Sequence, residues 1–318
     1  MPLVNAPLLE YQLSYLKSAG VSEVCFATNY MAEAVENTFG DGSAFGLNLT
    51  YAVETEPLDT AGAIRNAYDR IPGEPCIVFN GDTIHAFNIA AFVKDHLDRM
   101  ADISLALKKV ERPHAYGVVS LTNEGRVSGF VEPSEEEKRS VSSKKTGEFD
   151  AINAGLYAMS VEALEAIPQR RCNIEREIFP RLIAEGMKVY GKLMDDFWVD
   201  IGRPSQYLQA VRAVVSELVQ SPRKILKRGD SAVHPSAEVA DSVVVCCNSS
   251  IGEGVRIEGS AKVCGSALLE GCQIGHGSEI VNSVLSEGCR IGANAQVRDA
   301  VLGAGCAVED GRVVVGLK

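Results

Sequence analysis

SSIGEGVRIEGSAKVCG (249–265) sets a pattern that the chain then repeats. SALLEGCQIGHGSEIVN (266–282), SVLSEGCRIGANAQVRD (283–299) and AVLGAGCAVEDGRVVVG (300–316) align beneath it at a spacing of seventeen. The third column holds Ile251, Leu268, Leu285 and Leu302. The ninth holds Ile257, Ile274, Ile291 and Val308, and the fifteenth Val263, Ile280, Val297 and Val314. Aliphatic columns about six residues apart, without helical periodicity, describe a three-sided coil with one side shortened by a residue. That is the hexapeptide pattern of a left-handed parallel β-helix. It is expected over 231–318, with His234 in an irregular lead-in to four coils. The seventh column carries Val255, Cys272, Cys289 and Cys306. Three stacked cysteines suggest a metal ladder, but Val255 in the same column favours a plain packing role.

The first part of the chain reads differently. PLLEYQLSYLKSAG (7–20), TAGAIRNAYDRI (60–71), NIAAFVKDHLDRM (88–100), NIEREIFPRLIAEG (173–186) and SQYLQAVRAVVSEL (205–218) have helical periodicity. Short apolar runs lie between them: EVCFATN (23–29), PCIVFNGDT (75–83) and ADISLALKKV (101–110). Alternation of this kind predicts a Rossmann-like α/β domain on a mostly parallel sheet. The expected boundaries are 1–220 for that domain, 221–230 for a linker and 231–318 for the β-helix. PSEEEKRSVSSKKTGEF (133–149) has charges of both signs and no period, and is expected to be a surface loop.

Bulk properties narrow the function. A formal charge of −11 argues against nucleic acid as a partner, which calls for a basic stripe. Nine cysteines without a CxxC pair favour free thiols. No membrane-length apolar run and no basic-then-apolar leader is present, so the expected location is the cytoplasm. Repeat coils leave an exposed end, so a homo-oligomer is expected.

Chemistry-bearing residues concentrate at strand ends, where α/β sheets bind ligands. FNGDT (79–83) places Asp82 after one apolar strand, and FWVDIGRP (197–204) places Asp200 after another. Two carboxylates at one sheet edge can hold Mg²⁺ against phosphate oxygens, although each alone is equally readable as a turn aspartate. Thr60, Ala61, Gly62 and Ala63 open a helix with small residues that allow close backbone approach, or serve as a simple helix start. In AINAGLYAM (151–159), Asn153 and Gly155 interrupt a strand and are also readable as a bulge. His85, His96 and His114 lie in no cluster with metal-ligand spacing.

Taken in order, PLDTAGA, FNGD, YGVV (116–119), FVE (130–132), INAGLY, IEREIFPRL (174–182) and WVDIGRP resemble the sugar-1-phosphate nucleotidyltransferases. Within that family the likeness is closest to the mannose-1-phosphate guanylyltransferases, which carry a C-terminal β-helix. The resemblance implies that a sugar-1-phosphate attacks the α-phosphorus of a nucleoside triphosphate and pyrophosphate leaves. It implies that Asp82 and Asp200 hold Mg²⁺ and that Thr60, Ala61 and Gly62 lie along the nucleoside. Gly117, Glu132 and Asn153 would contact the sugar, and Trp198 would pack beneath Asp200.

The chain departs from the family pattern in three places. Asp59 replaces the usual glycine of PLGTAGA, in a turn where aspartate tolerates the left-handed conformation. The lysine of Glu-Lys-Pro is missing between Glu132 and Pro133, with Lys138, Lys144 and Lys145 as substitutes from the next loop. The family's Gly-Gly-x-Gly-Thr-Arg-Leu-type loop, which precedes the part matching MPLVNAPLLEYQL, has no counterpart in these residues. An α/β domain lacking its first strand and triphosphate clamp is therefore expected, with activity in question on that account. A non-catalytic nucleotide-sugar-binding regulator is the second reading. A hexapeptide acyltransferase using His276 is the third, against His276 as a solvent-facing turn residue.

Overall fold

The computed structural model describes residues 1–110, 118–131 and 151–316. The chain divides into two compact units. One comprises Leu13–Thr83 and Phe87–Asp196; the other comprises Met1–Gln12, Ile84–Ala86 and Phe197–Lys318. The 133–149 insert lies outside the described residues.

The first unit is built on a six-stranded sheet around Ala151–Met159. This strand is apolar along nearly its whole length, as a strand covered on both faces must be. Ile103–Lys109 runs antiparallel along one edge of it, and Val189–Leu193 adds to Ile103–Lys109 in parallel. On the other edge Ala151 and Ile152 pair with Val119 and Val118, while Leu156–Met159 pair with Phe79–Cys76. Val127–Val131 completes the sheet beside Val118–Leu121. The α/β character is as expected, but this sheet is mixed rather than mostly parallel. The short Val118–Leu121 and Val127–Val131 strands form an antiparallel pair, which a brief connection suffices to join. Parallel pairing recurs in a separate two-stranded sheet, Glu23–Thr28 with Asn48–Val53.

The core of this unit packs Ile103, Leu105, Leu107, Tyr157 and Met159 against Ile178, Phe179 and Leu182. Phe179 stacks on Phe130 and meets Tyr157 edge-on, both at 5.4 Å between ring centroids. Helix Ile89–Asp98 starts where Asn88 accepts a hydrogen bond from the Ala91 N–H. His96 on that helix is buried, with Nδ1 2.9 Å from Ser104 Oγ.

The second unit contains the β-helix, which has five coils rather than four. The lead-in from Ser231 is a full coil: Ala232 pairs in parallel with Ser250, Glu238 with Arg256 and Val244 with Lys262. Those partners are eighteen residues apart, whereas Ser250–Ala267 and Arg256–Gln273 are seventeen apart. The extra residue falls in one corner. There Cys247 and Asn248 both have positive φ, whereas the following coils turn the same corner on Gly265, Asn282 and Asp299 alone.

Inside the coils the aliphatic columns form the core as expected, and Cys272 and Cys289 are fully buried within it. Their thiols donate to the carbonyls of Ser286 and Gly303, each at 3.2 Å, which is a packing role. A second ladder went unread in the sequence. The N–H groups of Ser249, Ser266, Ser283 and Ala300 each donate to the serine hydroxyl one coil earlier, at 3.0–3.1 Å. Buried backbone donors are thereby paired where the strands break.

At the N-terminus Pro2–Leu3 and Ala6–Pro7 form a hairpin whose two central residues, Val4 and Asn5, are left-handed. That is the geometry of a type I′ turn. Helix Pro204–Val215 holds the hairpin through Tyr207, whose hydroxyl donates to the Pro2 carbonyl at 2.9 Å. Arg223 donates to both Glu10 carboxylate oxygens, at 2.9 and 2.7 Å. Arg212 reaches the corners, donating to Gly265 O at 3.2 Å and Asn282 Oδ1 at 2.8 Å. Among the described residues no helix is long and apolar enough to cross a membrane.

Candidate active site

The centre of the first unit is a break in strand Ala151–Met159. Its register against Ile103–Lys109 shifts between Asn153, which still pairs with Leu107, and Tyr157, so Ala154–Leu156 bulge out of that ladder. On the opposite edge the same residues are where one partner strand, Val118–Leu121, gives way to another, Cys76–Phe79. The loop that leaves into this region is Asn80-Gly81-Asp82.

The bulge and this loop lock together. Asn80 N–H donates to Gly155 O at 2.8 Å, and Gly155 N–H donates to Asn153 Oδ1 at 3.0 Å. Gly155 has φ +73°, and a Cβ there would lie 2.6–2.8 Å from the Asn80 side chain. Only glycine satisfies both conditions.

Asn153 is thus aimed rather than merely displaced. Its Nδ2 donates to the Tyr157 hydroxyl at 2.7 Å and to the Glu175 carboxylate. Burial pushes the Tyr157 hydroxyl well above its ordinary pKa, and the negative charges of Glu175 and Asp82 add to the effect. Tyr157 therefore stays protonated and neutral. Glu175 belongs to a single π turn, Ile174–Ile178, capped by Asn173, whose Oδ1 accepts from the N–H groups of Glu175 and Arg176. Wide turns of this kind often mark functional sites. Glu175 and Tyr157 had no assigned role in the sequence reading. The signal for Glu175 was the IEREIFPRL segment itself.

Helix Asp59–Tyr68 bears the small-residue segment. Ala61 and Gly62 are buried, and both N–H groups donate to Cys172 O, at 3.0 and 3.3 Å. A Cβ on Gly62 would meet Arg170 O at 2.6 Å, so the glycine admits the 170–172 backbone. Exposed Thr60 accepts from the Ile174 N–H through its hydroxyl at 2.9 Å. Asp59 takes the left-handed conformation expected of it, φ +60°. Its carboxylate accepts from the Thr60 N–H at 2.7 Å and Asn173 Nδ2 at 3.0 Å. The backbone bond, with lesser help from Asn173 and Arg171, lowers its pKa despite partial desolvation. The segment thereby joins the helix start to the Glu175 turn.

Asp82 is exposed on the loop after Cys76–Phe79, within this unit. Asp200 belongs to the other unit and ends strand Trp198–Asp200, which pairs with Thr83–His85. Trp198 is buried. Both aspartates are hard oxygen donors of the kind divalent Mg²⁺ selects, so the donor chemistry fits the ion. Gly117, Glu132, Lys138, Lys144, Lys145 and His114 lie outside the described residues. Exposed His276 sits on a β-helix turn, its N–H donating to Glu258 at 3.0 Å.

Comparison with known proteins defines the class. Residues 1–217 match the nucleotidyl transferase family and 227–318 match the GMPPB C-terminal domain. The chain belongs to the nucleotidyl transferase family. It is 34% identical over 268 residues to a mannose-1-phosphate guanylyltransferase of Mycobacterium tuberculosis, covering 82% of this chain and 72% of that protein. It is 35% identical over 263 residues to the probable mannose-1-phosphate guanylyltransferase 3 of Arabidopsis thaliana, covering 80% and 74%. The crystal structure of HddC from Yersinia pseudotuberculosis complexed with GMP-PN shares the fold. Its TM-score is 0.54 at 24% identity, over 66% of this chain and 86% of that one.

Proposed function

We propose that the protein transfers a nucleotidyl group from GTP to mannose-1-phosphate, forming GDP-mannose and pyrophosphate. The observation that carries this reading is the bulge locked to the Asn80-Gly81-Asp82 loop. It brings a sugar-type polar cluster, Asn153 with Glu175 and Tyr157, to the same sheet edge as a phosphate-type carboxylate. The named relatives supply the choice of base and sugar.

In this reading Asn153 and Glu175 hydrogen-bond sugar hydroxyls, together with Gly117 and Glu132. Neutral Tyr157 holds the Asn153 amide in one orientation. Thr60, Ala61 and Gly62 lie along the nucleoside. Asp82 and Asp200 hold Mg²⁺, which when bound supplies charge neutralisation to the phosphates. Little covalent help is required of the protein, since such transfers depend chiefly on positioning and electrostatics. The domain division 1–220, 221–230 and 231–318, a cytoplasmic location and a homo-oligomer belong to the same proposal. For the oligomer, support comes from the last coil, where Val301, Val313 and Val315 are more than half exposed.

The test is pyrophosphate release with Mg²⁺ across GTP, UTP, dTTP, CTP and ATP, each with mannose-1-phosphate and glucose-1-phosphate. GTP with mannose-1-phosphate should turn over fastest. Asp82→Asn and Asp200→Asn should each lower kcat by about 10³, roughly 4 kcal/mol of transition-state stabilisation. Glu175→Gln should act mainly on the KM for the sugar phosphate. A different preferred pair would replace the substrate assignment. Absence of both turnover and nucleotide-sugar binding would overturn the reading.

A further inference from the structure

Among the described residues one group of three potential ligand side chains converges closely, and it lies in the β-helix. The sulfurs of Cys246, Cys247 and Cys264 all fall within 4.8 Å of one another. Cys247 Sγ is 2.7 Å from Cys264 Sγ and 3.6 Å from Cys246 Sγ. We propose that these three cysteines bind one thiophilic d¹⁰ metal ion, Zn(II) or Cu(I), joining the first coil to the second.

The backbone delivers the thiols. Cys246 and Cys264 are register partners on adjacent parallel strands, so neighbouring strands present both sulfurs. The third comes from the extra residue of the eighteen-residue coil. Cys247 has φ +61°, a conformation costly for a non-glycine residue, and its N–H is fixed to Asp230 Oδ2 at 2.9 Å. The flanking carbonyls are tied as well: Cys246 O accepts from Ser249 Oγ at 2.6 Å, and Cys264 O from Ser266 Oγ at 2.9 Å. A corner held in this way positions its side chains before any ligand arrives.

Three sulfurs on one ion, with metal–sulfur bonds of about 2.3 Å, stand roughly 4 Å apart. The 2.7 Å between Cys247 Sγ and Cys264 Sγ is shorter than this, so the exposed Cys247 side chain must turn to bind the ion. Thiolate-only ligand sets select zinc and monovalent copper over harder ions. A disulfide would use two of the three sulfurs, whereas one ion engages all three. Metal binding releases the thiol protons. The three thiols have no part in the nucleotidyl-transfer roles proposed above.

The test titrates the full, phosphine-reduced chain with Cd(II), read by the ultraviolet sulfur-to-metal charge-transfer band. One equivalent per chain should bind. Cys247→Ser and Cys264→Ser should weaken binding by about 100-fold or more, while Cys306→Ser, altered at another exposed thiol, should leave it unchanged. Displacement of the bound Cd(II) by Zn(II) or by Cu(I) shows which ion the site prefers. X-ray absorption of the zinc-loaded wild type should give a three-sulfur shell, a measurement independent of how the variants fold. Equal affinity in both serine variants, a shell without sulfur, or no stoichiometric binding by the reduced chain would overturn the proposal. So would a Cys247–Cys264 disulfide as the only product of metal exposure.

Discussion

The α/β unit and the β-helix must each pair every buried backbone group, and they do it by opposite means. In the β-helix each strand bonds the equivalent strand one coil away, and serine hydroxyls cover the breaks at one corner. In the α/β unit one strand, Ala151–Met159, bonds three others, and its break is closed by Asn80 and by its own Asn153. Repetition spreads the interactions along the stack, so no single coil carries the whole. A central strand concentrates them, and the irregular point is where polar groups can be turned toward a ligand.

The sharpest way to break the comparison is to put the same substitution at two left-handed glycines. Gly155 has φ +73° and the Asn80 side chain within 2.8 Å of a built Cβ, whereas Gly271 has φ +68° and open space. Gly155→Val should cost about 3–5 kcal/mol and abolish turnover, because backbone strain and overpacking add. Gly271→Val should cost only about 1–2 kcal/mol, from the conformation alone. Paired urea melts with activity assays check both; equal losses would erase the distinction.

A smaller effect probes the ladder. Ser266→Ala removes the hydroxyl that accepts the Ser283 N–H at 3.0 Å and leaves that buried donor unpaired. The expected cost is about 1–3 kcal/mol, without loss of kcat. Hydrogen exchange should show faster opening in the coils on either side of it, and protection in the α/β unit unchanged.

The smallest effect is a pH dependence. Burial lowers the pKa of His96, opposed in part by Asp102 and Asp95, and pushes His85 down to about 4. Unfolded histidine titrates near 6.5, so below that value the unfolded chain binds protons that the folded chain refuses. Stability contributed by these groups is present above about pH 6.5 and lost as the pH falls toward the folded values. His96→Gln should make the decline between pH 7 and 5 shallower without abolishing it, since His85 remains. Urea midpoints across that range measure the slope, and an unchanged slope would assign the whole effect to His85.

Much of this was legible in the sequence because it depends on short-range repetition. The aliphatic columns register at seventeen residues and need no tertiary information. The same rule hid the first coil: one extra residue at Cys247–Asn248 moves every column by one. The serine column was equally visible but carries no hydrophobic signal, so its meaning waited for the hydrogen bonds. At the site the bulge reading holds at Gly155, and the same bulge fixes the Asn153 amide through the Gly155 N–H. Glu175 was unreadable as a partner of Asn153 because twenty-two residues separate them, and only the π turn brings the carboxylate to the amide.

By itself the sequence determined the coil geometry, the α/β alternation, the left-handed Asp59 and the segments that define the family. Each follows from side-chain periodicity or from what a residue's own φ permits. The tertiary structure decided the mixed sheet, the change of partner at Gly155 and the convergence of Cys246, Cys247 and Cys264. Those depend on which distant backbones come within hydrogen-bonding distance, and a local pattern carries no record of that.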